Sequence, residues 1–256
     1  MMNDASEDRL STEFDKHWDE NAAVEYPVQK LHEARRFLQP LLQHIQATKN
    51  EQSLHVLDAG TGDGIHARVL ADAGDIDYVG LDVSLSALLK IQSTVIPASL
   101  VQGDVVSMPF PDQTFDATFS FGVLGYSSDP ARAFAEMCRV TRVGGMIGVW
   151  LFPKKTGLAG AAFGSVRWLC GLTGSWGTYA LANAIVPFLF FLPTRSKVHL
   201  LNSSWKQCLE VVLVNIQPTM LYFPTREIVL QWFSENSIEV IAEDSSEPIT
   251  LWGVKR

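Results

Sequence analysis

Cysteine is scarce. The 256-residue chain holds three, Cys138, Cys170 and Cys208, far apart and odd in number. That pattern excludes a disulfide framework and a CxxC metal site, leaves ordinary intracellular thiols, and no metal is expected. Charge is thin as well, at 19% of residues, and basic charge thinner still: 28 acids against 20 lysines and arginines leave a net charge of -8. Such a balance repels a phosphate backbone, so no nucleic-acid partner is expected. The first twenty residues, with Asp4, Glu7 and Asp8, lack the basic start and apolar centre of a secretory signal. No export is implied, and a cytoplasmic location is the expectation. Apolar material is plentiful by contrast: 47% of residues are hydrophobic, enough for a substantial core in one large domain.

The most informative stretch is Val56-Leu57-Asp58-Ala59-Gly60-Thr61-Gly62-Asp63-Gly64. An apolar run from Leu54 to Leu57 ends in an acid, three glycines follow at alternate positions, and the helix-compatible Ile65-His66-Ala67-Arg68-Val69-Leu70 comes directly after. This reads as strand, tight turn and helix. Glycine suits such a turn because the chain must take positive φ and let a ligand lie against bare backbone, which a Cβ would obstruct.

Strand signals recur at Tyr78–Leu81, Ala98–Val101, Phe115–Ser120 and Met146–Phe152, separated by helical segments. Ser84 is placed to cap a helix over Leu85–Gln92, and Asp129 with Pro130 opens one through Val140, with Gly144-Gly145 ending that unit. The alternation predicts a doubly wound α/β fold with a parallel sheet and right-handed crossovers, its ligand at the strands' C-terminal edge. Asp58, Asp82 and Asp104 close three of the strands, and Phe121 and Tyr126 follow the fourth, so all five are assigned to that edge. Asp82 stands about twenty residues after the glycine turn, the spacing at which a carboxylate meets a ribose diol. Asp104 has two readings: an acceptor for an exocyclic amine, or an Asx turn. Ahead of the sheet, residues 28–48 carry apolar side chains at helical spacing with a break at Pro40. Phe14, Trp18 and Tyr26 either cover a ligand or pin this preface to the core.

These motifs resemble the class I S-adenosylmethionine-dependent methyltransferases, especially the ubiquinone and menaquinone biosynthesis group. The matching pieces are the glycine turn, Gly80-Leu81-Asp82-Val83-Ser84, Gln102-Gly103-Asp104 with Met108-Pro109-Phe110, Phe115–Ser120, and Arg139-Val140-Thr141-Arg142-Val143-Gly144-Gly145. They stand in family order over roughly residues 54 to 152. The resemblance implies a Rossmann-like, mostly parallel seven-stranded sheet with an antiparallel C-terminal strand, and S-adenosyl-L-methionine as cofactor. It implies that Gly60, Thr61 and Gly62 back the methionine part, that Asp82 binds the ribose with Val83 beside it, that Asp104 and Val105 face the adenine, and that the backbone near Phe121 closes the site. Charge agrees: Asp58 and Asp63 would oppose a pyrophosphate but suit a sulfonium and an ammonium. An NAD-binding oxidoreductase is the alternative, because Gly62–Ala67 also fits a loose G-x-G-x-x-A turn. One departure stands out, since Gly125-Tyr126 occupies the place where many relatives carry two histidines. Tyr126 is the candidate catalytic residue; it either positions substrate and accepts a proton or only shapes the wall, and a phenol near pKa about 10 is a poor base.

Within a single domain of 1–256, residues 1–50 form the preface and 153–222 an apolar insertion after the fifth strand. From Gly157 to Pro193 the only charge is Arg167. The uncharged run is long enough to cross a bilayer, but Gly171, Gly174, Gly177, Asn183 and Pro187 are expected to break it. The segment is a lid over a small hydrophobic acceptor, a hairpin touching a membrane surface with Lys154, Lys155, Arg195 and Lys197 at its base, or a homodimer interface. A helix from Thr225 to Asn236 and strands over 238–242 and 249–254 complete the chain as an antiparallel edge. The expected activity is methyl transfer to an apolar, lipid- or quinone-like molecule; a cofactor-binding but non-catalytic membrane-associated partner protein is the alternative from another class.

Overall fold

The computed structural model describes residues 28–48, 53–74, 76–94, 99–152, 154, 157–189, 205–216, 222–244 and 248–256. Phe14, Trp18, Tyr26, Lys155, Arg195 and Lys197 lie outside them. Two compact units emerge: Met1–Pro153 with Tyr222–Arg256, and Lys154–Leu221.

The first unit runs α1 (Val28–Phe37), α2 (Gln39–Thr48), β1 (Leu54–Ala59), α3 (Ile65–Leu70), β2 (Ile76–Asp82), α4 (Leu85–Thr94), β3 (Ser99–Gln102), β4 (Phe115–Phe121), α5 (Pro130–Val140) and β5 (Thr141–Leu151), then resumes with α8 (Arg226–Glu235), β6 (Ile238–Asp244) and β7 (Ile249–Lys255). Its sheet has the order β3-β2-β1-β4-β5-β7-β6. Strands β1 to β5 are mutually parallel, and β7 runs antiparallel to both β5 and β6. The doubly wound α/β expectation holds, and the β6–β7 hairpin completes one side of the sheet with β7 as the antiparallel strand and β6 outermost. Composition explains the order. Strand β7 buries Ile249, Leu251 and Trp252, whereas β6 exposes Glu239, Val240, Ile241 and Glu243, so the polar strand takes the side with one neighbour.

Alternation along the strands divides the core into two layers. Leu57, Leu81, Phe134, Met137, Phe233 and Leu251 fill one face. Val56, Phe37, Leu38, Leu41, Phe119 and Trp252 fill the other. The preface breaks at Leu38, two residues before Pro40, whose ring excludes a continuous helix. It docks through the Trp252 indole, which donates 2.8 Å to the Phe37 carbonyl. Helix α5 begins as expected, with the Asp129 side chain accepting from Arg132 N at 3.0 Å and Pro130 in its first turn. Strand β5 starts at Thr141, five residues before the expected Met146, and runs through Gly144-Gly145. Lys255 makes this possible by donating to the carbonyls of Cys138 and Thr141 at 2.7 and 2.9 Å, satisfying a helix end that would otherwise need a longer turn.

In the second unit α6 (Gly157–Leu189) packs on α7 (Trp205–Ile216), with Cys170, Ala182 and Val186 against Cys208, Leu209, Val212 and Ile216. Only Gly174, at φ 64 and ψ -168, leaves helical geometry. Gly171, Gly177, Asn183 and Pro187 stay within the helix, a correction to the expected breaks. An interior glycine costs a helix only about 1 kcal/mol, which packing can offset. Among the described residues no helix is long and apolar enough to cross a membrane.

The β5–β7 contact is tight enough to test. A Cβ on Gly148 would lie 2.4 Å from the Trp252 indole. Gly148→Ala is expected to cost about 1–3 kcal/mol by overpacking, read as a lower urea midpoint at unchanged m-value.

Candidate functional site

The glycine turn hangs from the end of the neighbouring strand. The N–H groups of Gly60 and Thr61 both donate to the Leu81 carbonyl, at 2.8 and 3.0 Å, and Gly62 N donates to Asp82 Oδ2 at 2.9 Å. Gly60 sits at φ 93, and a Cβ there would fall 2.3 Å from Val123 in the loop after β4. Glycine is therefore required both by backbone angle and by close packing. Asp82 Oδ1 accepts from Ser84 N at 3.0 Å, and Ser84 Oγ accepts from Ala87 N at 3.2 Å, capping α4. Burial raises the Asp82 carboxyl above the ordinary aspartate value, the Ser84 and Gly62 N–H groups pull it back, and the nearby Asp58 pushes it up further.

Asp104 follows β3, alongside. Gly103 N donates to the Asp82 carbonyl at 2.9 Å, which brings the two acidic residues to one crevice. The Asx turn forms, with Asp104 Oδ1 accepting from Val106 N at 3.0 Å, and Oδ2 has no hydrogen-bond partner among the described residues. One oxygen thus shapes the loop and the other keeps its acceptor capacity. Val105, Val106 and Met108 are buried behind it. Arg139 clamps the rest of that loop by donating to the Met108 and Phe110 carbonyls, Asp112 and Glu136, and in return holds the Glu136 carboxyl below the usual glutamate value.

Asp58 differs from the expectation of a rim acid. It is 0% exposed, on the face of β1 opposite Leu57 and Ala59, because side chains alternate along a strand. Thr61 Oγ1 lies 2.6 Å from the Tyr78 hydroxyl, which donates 2.8 Å to Asp58 Oδ2. With the Tyr78 proton committed to the carboxylate, Thr61 is the donor in the first of these bonds. His66 Nδ1 stands 3.3 Å from the same oxygen, while Asp58 Oδ1 and both His66 nitrogens have no hydrogen-bond partner among the described residues. His66 also touches Phe37, Phe119 and Phe121, at 5.9, 5.3 and 5.0 Å between ring centroids. Sequence reasoning missed Tyr78 and His66 as partners of Asp58. Their signal was faint, a polar atom on an otherwise apolar strand and a histidine in a helix's first turn.

The loop after β4 forms a 3-10 turn over Leu124–Tyr126, where Tyr126 is half-buried. The Phe121 ring stacks on Trp150 at 4.3 Å, inside the aromatic cluster of the α1 side. Gly125 has a physical reason to be glycine. Tyr222 N donates to its carbonyl at 2.7 Å, and a Cβ on it would meet the Tyr222 carbonyl oxygen at 2.8 Å. Val83 is half-buried between Asp82 and the α4 cap. The Cys138 thiol is pushed up to about 12 by burial, so it offers no thiolate nucleophile. A cavity of about 580 Å³ lies elsewhere in this unit, between α1–α2 and the β6–β7 hairpin, lined by Phe37, Trp150 and Trp252 among others. The glycine turn takes no part in it.

A sheet with an antiparallel β7 between β5 and β6, and a glycine turn beside the strand-end acids Asp82 and Asp104, make a Rossmann-like α/β architecture. Residues 57–149 match the family model described as a methyltransferase domain. Over 160 residues the chain is 34% identical to a demethylmenaquinone methyltransferase of Renibacterium salmoninarum, covering 60% of this chain and 65% of that one. A second demethylmenaquinone methyltransferase, of Paenarthrobacter aurescens, is 40% identical over 94 residues, 36% of either chain. The chain thus spans under two thirds of the length of both relatives. Among solved structures, magnesium protoporphyrin IX methyltransferase from Synechocystis PCC 6803 with bound SAH superposes with a TM-score of 0.58 over 98% of this chain and 99% of that one, at 14% identity, a likeness of fold. The resemblance to class I S-adenosylmethionine-dependent methyltransferases is borne out.

The Thr61–Tyr78–Asp58 chain ties the turn to β1 and β2. Tyr78→Phe leaves a buried carboxylate oxygen without that donor and is expected to cost about 1–3 kcal/mol in chemical denaturation, without altering the fold seen by circular dichroism.

Proposed function

We propose that the chain transfers a methyl group from S-adenosyl-L-methionine to a small hydrophobic acceptor, lipid- or quinone-like. The observation that carries this reading is the convergence of Gly62 N, the Asp82 carboxylate and the unpartnered Asp104 Oδ2 at the ends of β1, β2 and β3. The residues fit the cofactor. Asp82 accepts from the backbone of Gly62, Ser84 and Val83, and a ribose hydroxyl would take the acceptor capacity that remains on its two oxygens. Asp104 Oδ2 is an acceptor suited to an adenine amine, with Val105 behind it. Gly60, Thr61 and Gly62 back the methionine part with bare backbone, and the buried Asp58 adds negative charge beneath them that favours an ammonium and a sulfonium. When bound, S-adenosyl-L-methionine supplies a methyl already activated on sulfur. What remains for the protein is alignment of the acceptor and exclusion of water. Val123 and the Leu124–Tyr126 turn stand beside the glycine turn to do this, with Tyr126 as wall rather than base. Support for an apolar acceptor comes from α6, whose one charged residue is Arg167, and from the demethylmenaquinone relatives.

Incubating the protein with cofactor labelled in the methyl group and an apolar extract is expected to yield one or more products heavier by one methyl. Tyr126→Phe should retain activity within about threefold, since a wall needs the ring and not the hydroxyl. Cofactor bound without any label transferred would favour the non-catalytic partner reading, and absence of cofactor binding would end both.

Asp82 accepts on both oxygens, with charge-assisted strength, only as the carboxylate, and its folded pKa is raised. Cofactor affinity, measured by calorimetry, is therefore expected to be full above that raised pKa and to fall as pH drops through it, beginning at higher pH than an ordinary carboxylate would. Asp82→Ala should weaken binding by about tenfold to a hundredfold and abolish that component of the pH dependence.

A further inference from the structure

Helix α6 is apolar on all sides. One side packs on α7 through Cys170, Ala182 and Val186. The other presents Trp168, Leu172, Trp176 and Tyr179, which are 68%, 65%, 87% and 54% exposed. A helix hydrophobic all round belongs in a large core or against lipid, and an exposed apolar patch of this kind marks an interaction site. Charge says what the partner is. No aspartate or glutamate occurs from Met137 to Leu209, in a chain that has 28 of them. The unit Lys154–Leu221 carries six basic residues, Lys154, Lys155, Arg167, Arg195, Lys197 and Lys206, against the single acid Glu210. It is a cationic unit in a chain of net charge -8.

We infer that this unit docks on the surface of an anionic lipid bilayer, with Trp168, Leu172, Trp176 and Tyr179 in the headgroup region. Indole and phenol rings pair an apolar body with a polar edge, which is the chemistry of the membrane–water interface. The cations add attraction to anionic headgroups without anchoring the chain by themselves. The bend at Gly174 divides α6 into two shorter pieces, and among the described residues no helix can span, so contact is in the plane of the surface. A second copy of the unit would bring together two units of the same net charge sign, which disfavours self-association. This inference rests on residues of α6 and on none of the cofactor-binding residues, and its test needs no methyl transfer.

Flotation of the full chain with vesicles tests it, with no cofactor or acceptor present. The protein is expected to float with vesicles containing about a third phosphatidylglycerol in phosphatidylcholine, weakly or not at all with phosphatidylcholine alone, and less as salt rises. Trp168→Ser with Trp176→Ser removes two exposed rings without touching the packed side, and should reduce binding at least about tenfold while thermal unfolding is unchanged. Lys154→Glu with Lys155→Glu should reduce the preference for anionic vesicles and leave the fold intact. Failure to float with either vesicle, or equal flotation of the tryptophan variant, would overturn the inference. So would a dimer in light scattering that the same tryptophan variant dissociates, since a second copy would then be the cover.

Discussion

Three N–H groups of one tight turn, those of Gly60, Thr61 and Gly62, all donate to the end of β2, two to the Leu81 carbonyl and one to the Asp82 carboxylate. The rest of the site depends on this attachment. It forces the chain between β1 and α3 to lie across the neighbouring strand, and it can do so only because Gly60 takes positive φ and leaves room for Val123. Gly80 serves the same end from below, since a Cβ there would lie 3.0 Å from the Thr61 methyl. Backbone geometry at one strand end thus sets where three other segments can approach.

The acids around that turn have separate physical tasks. Asp82 is partly consumed as an organiser of backbone N–H groups, and this keeps a carboxylate in place at a site whose burial disfavours its charge. Asp104 divides its two oxygens between the loop and the crevice. Asp58 never reaches the surface and acts through Tyr78 and Thr61, beside an imidazole whose nitrogens have no hydrogen-bond partner among the described residues. Negative charge beneath and around a glycine turn suits a positively charged ligand and opposes a pyrophosphate, so electrostatics and hydrogen bonding point the same way.

The second unit follows another logic. Its helices bury one apolar side against each other and leave another open, which is costly in water unless something covers it. The absence of acids over the same region concentrates positive charge there while the rest of the chain is strongly negative. Positive charge is thereby segregated into one unit of an acidic chain.

Periodicity and turn chemistry were enough to read the alternation of strands and helices, the glycine turn, the Ser84 and Asp129 caps and the acids at three strand ends, because these are local properties of neighbouring residues. Strand order was beyond their reach. The place of β7 between β5 and β6 depends on which strand can bury both faces, and the early start of β5 depends on Lys255, more than a hundred residues away, reaching the end of α5. Glycines and a proline in α6 looked like breaks, yet packing against α7 kept all but Gly174 helical, since contact energy outweighs an intrinsic preference of about 1 kcal/mol. That Asp58 is an interior residue held by Tyr78, while Asp82 and Asp104 share a crevice, was likewise decided in three dimensions. An acid at a strand's end is written in the chain, but the face it points to and the groups it meets there depend on how the strands and helices pack.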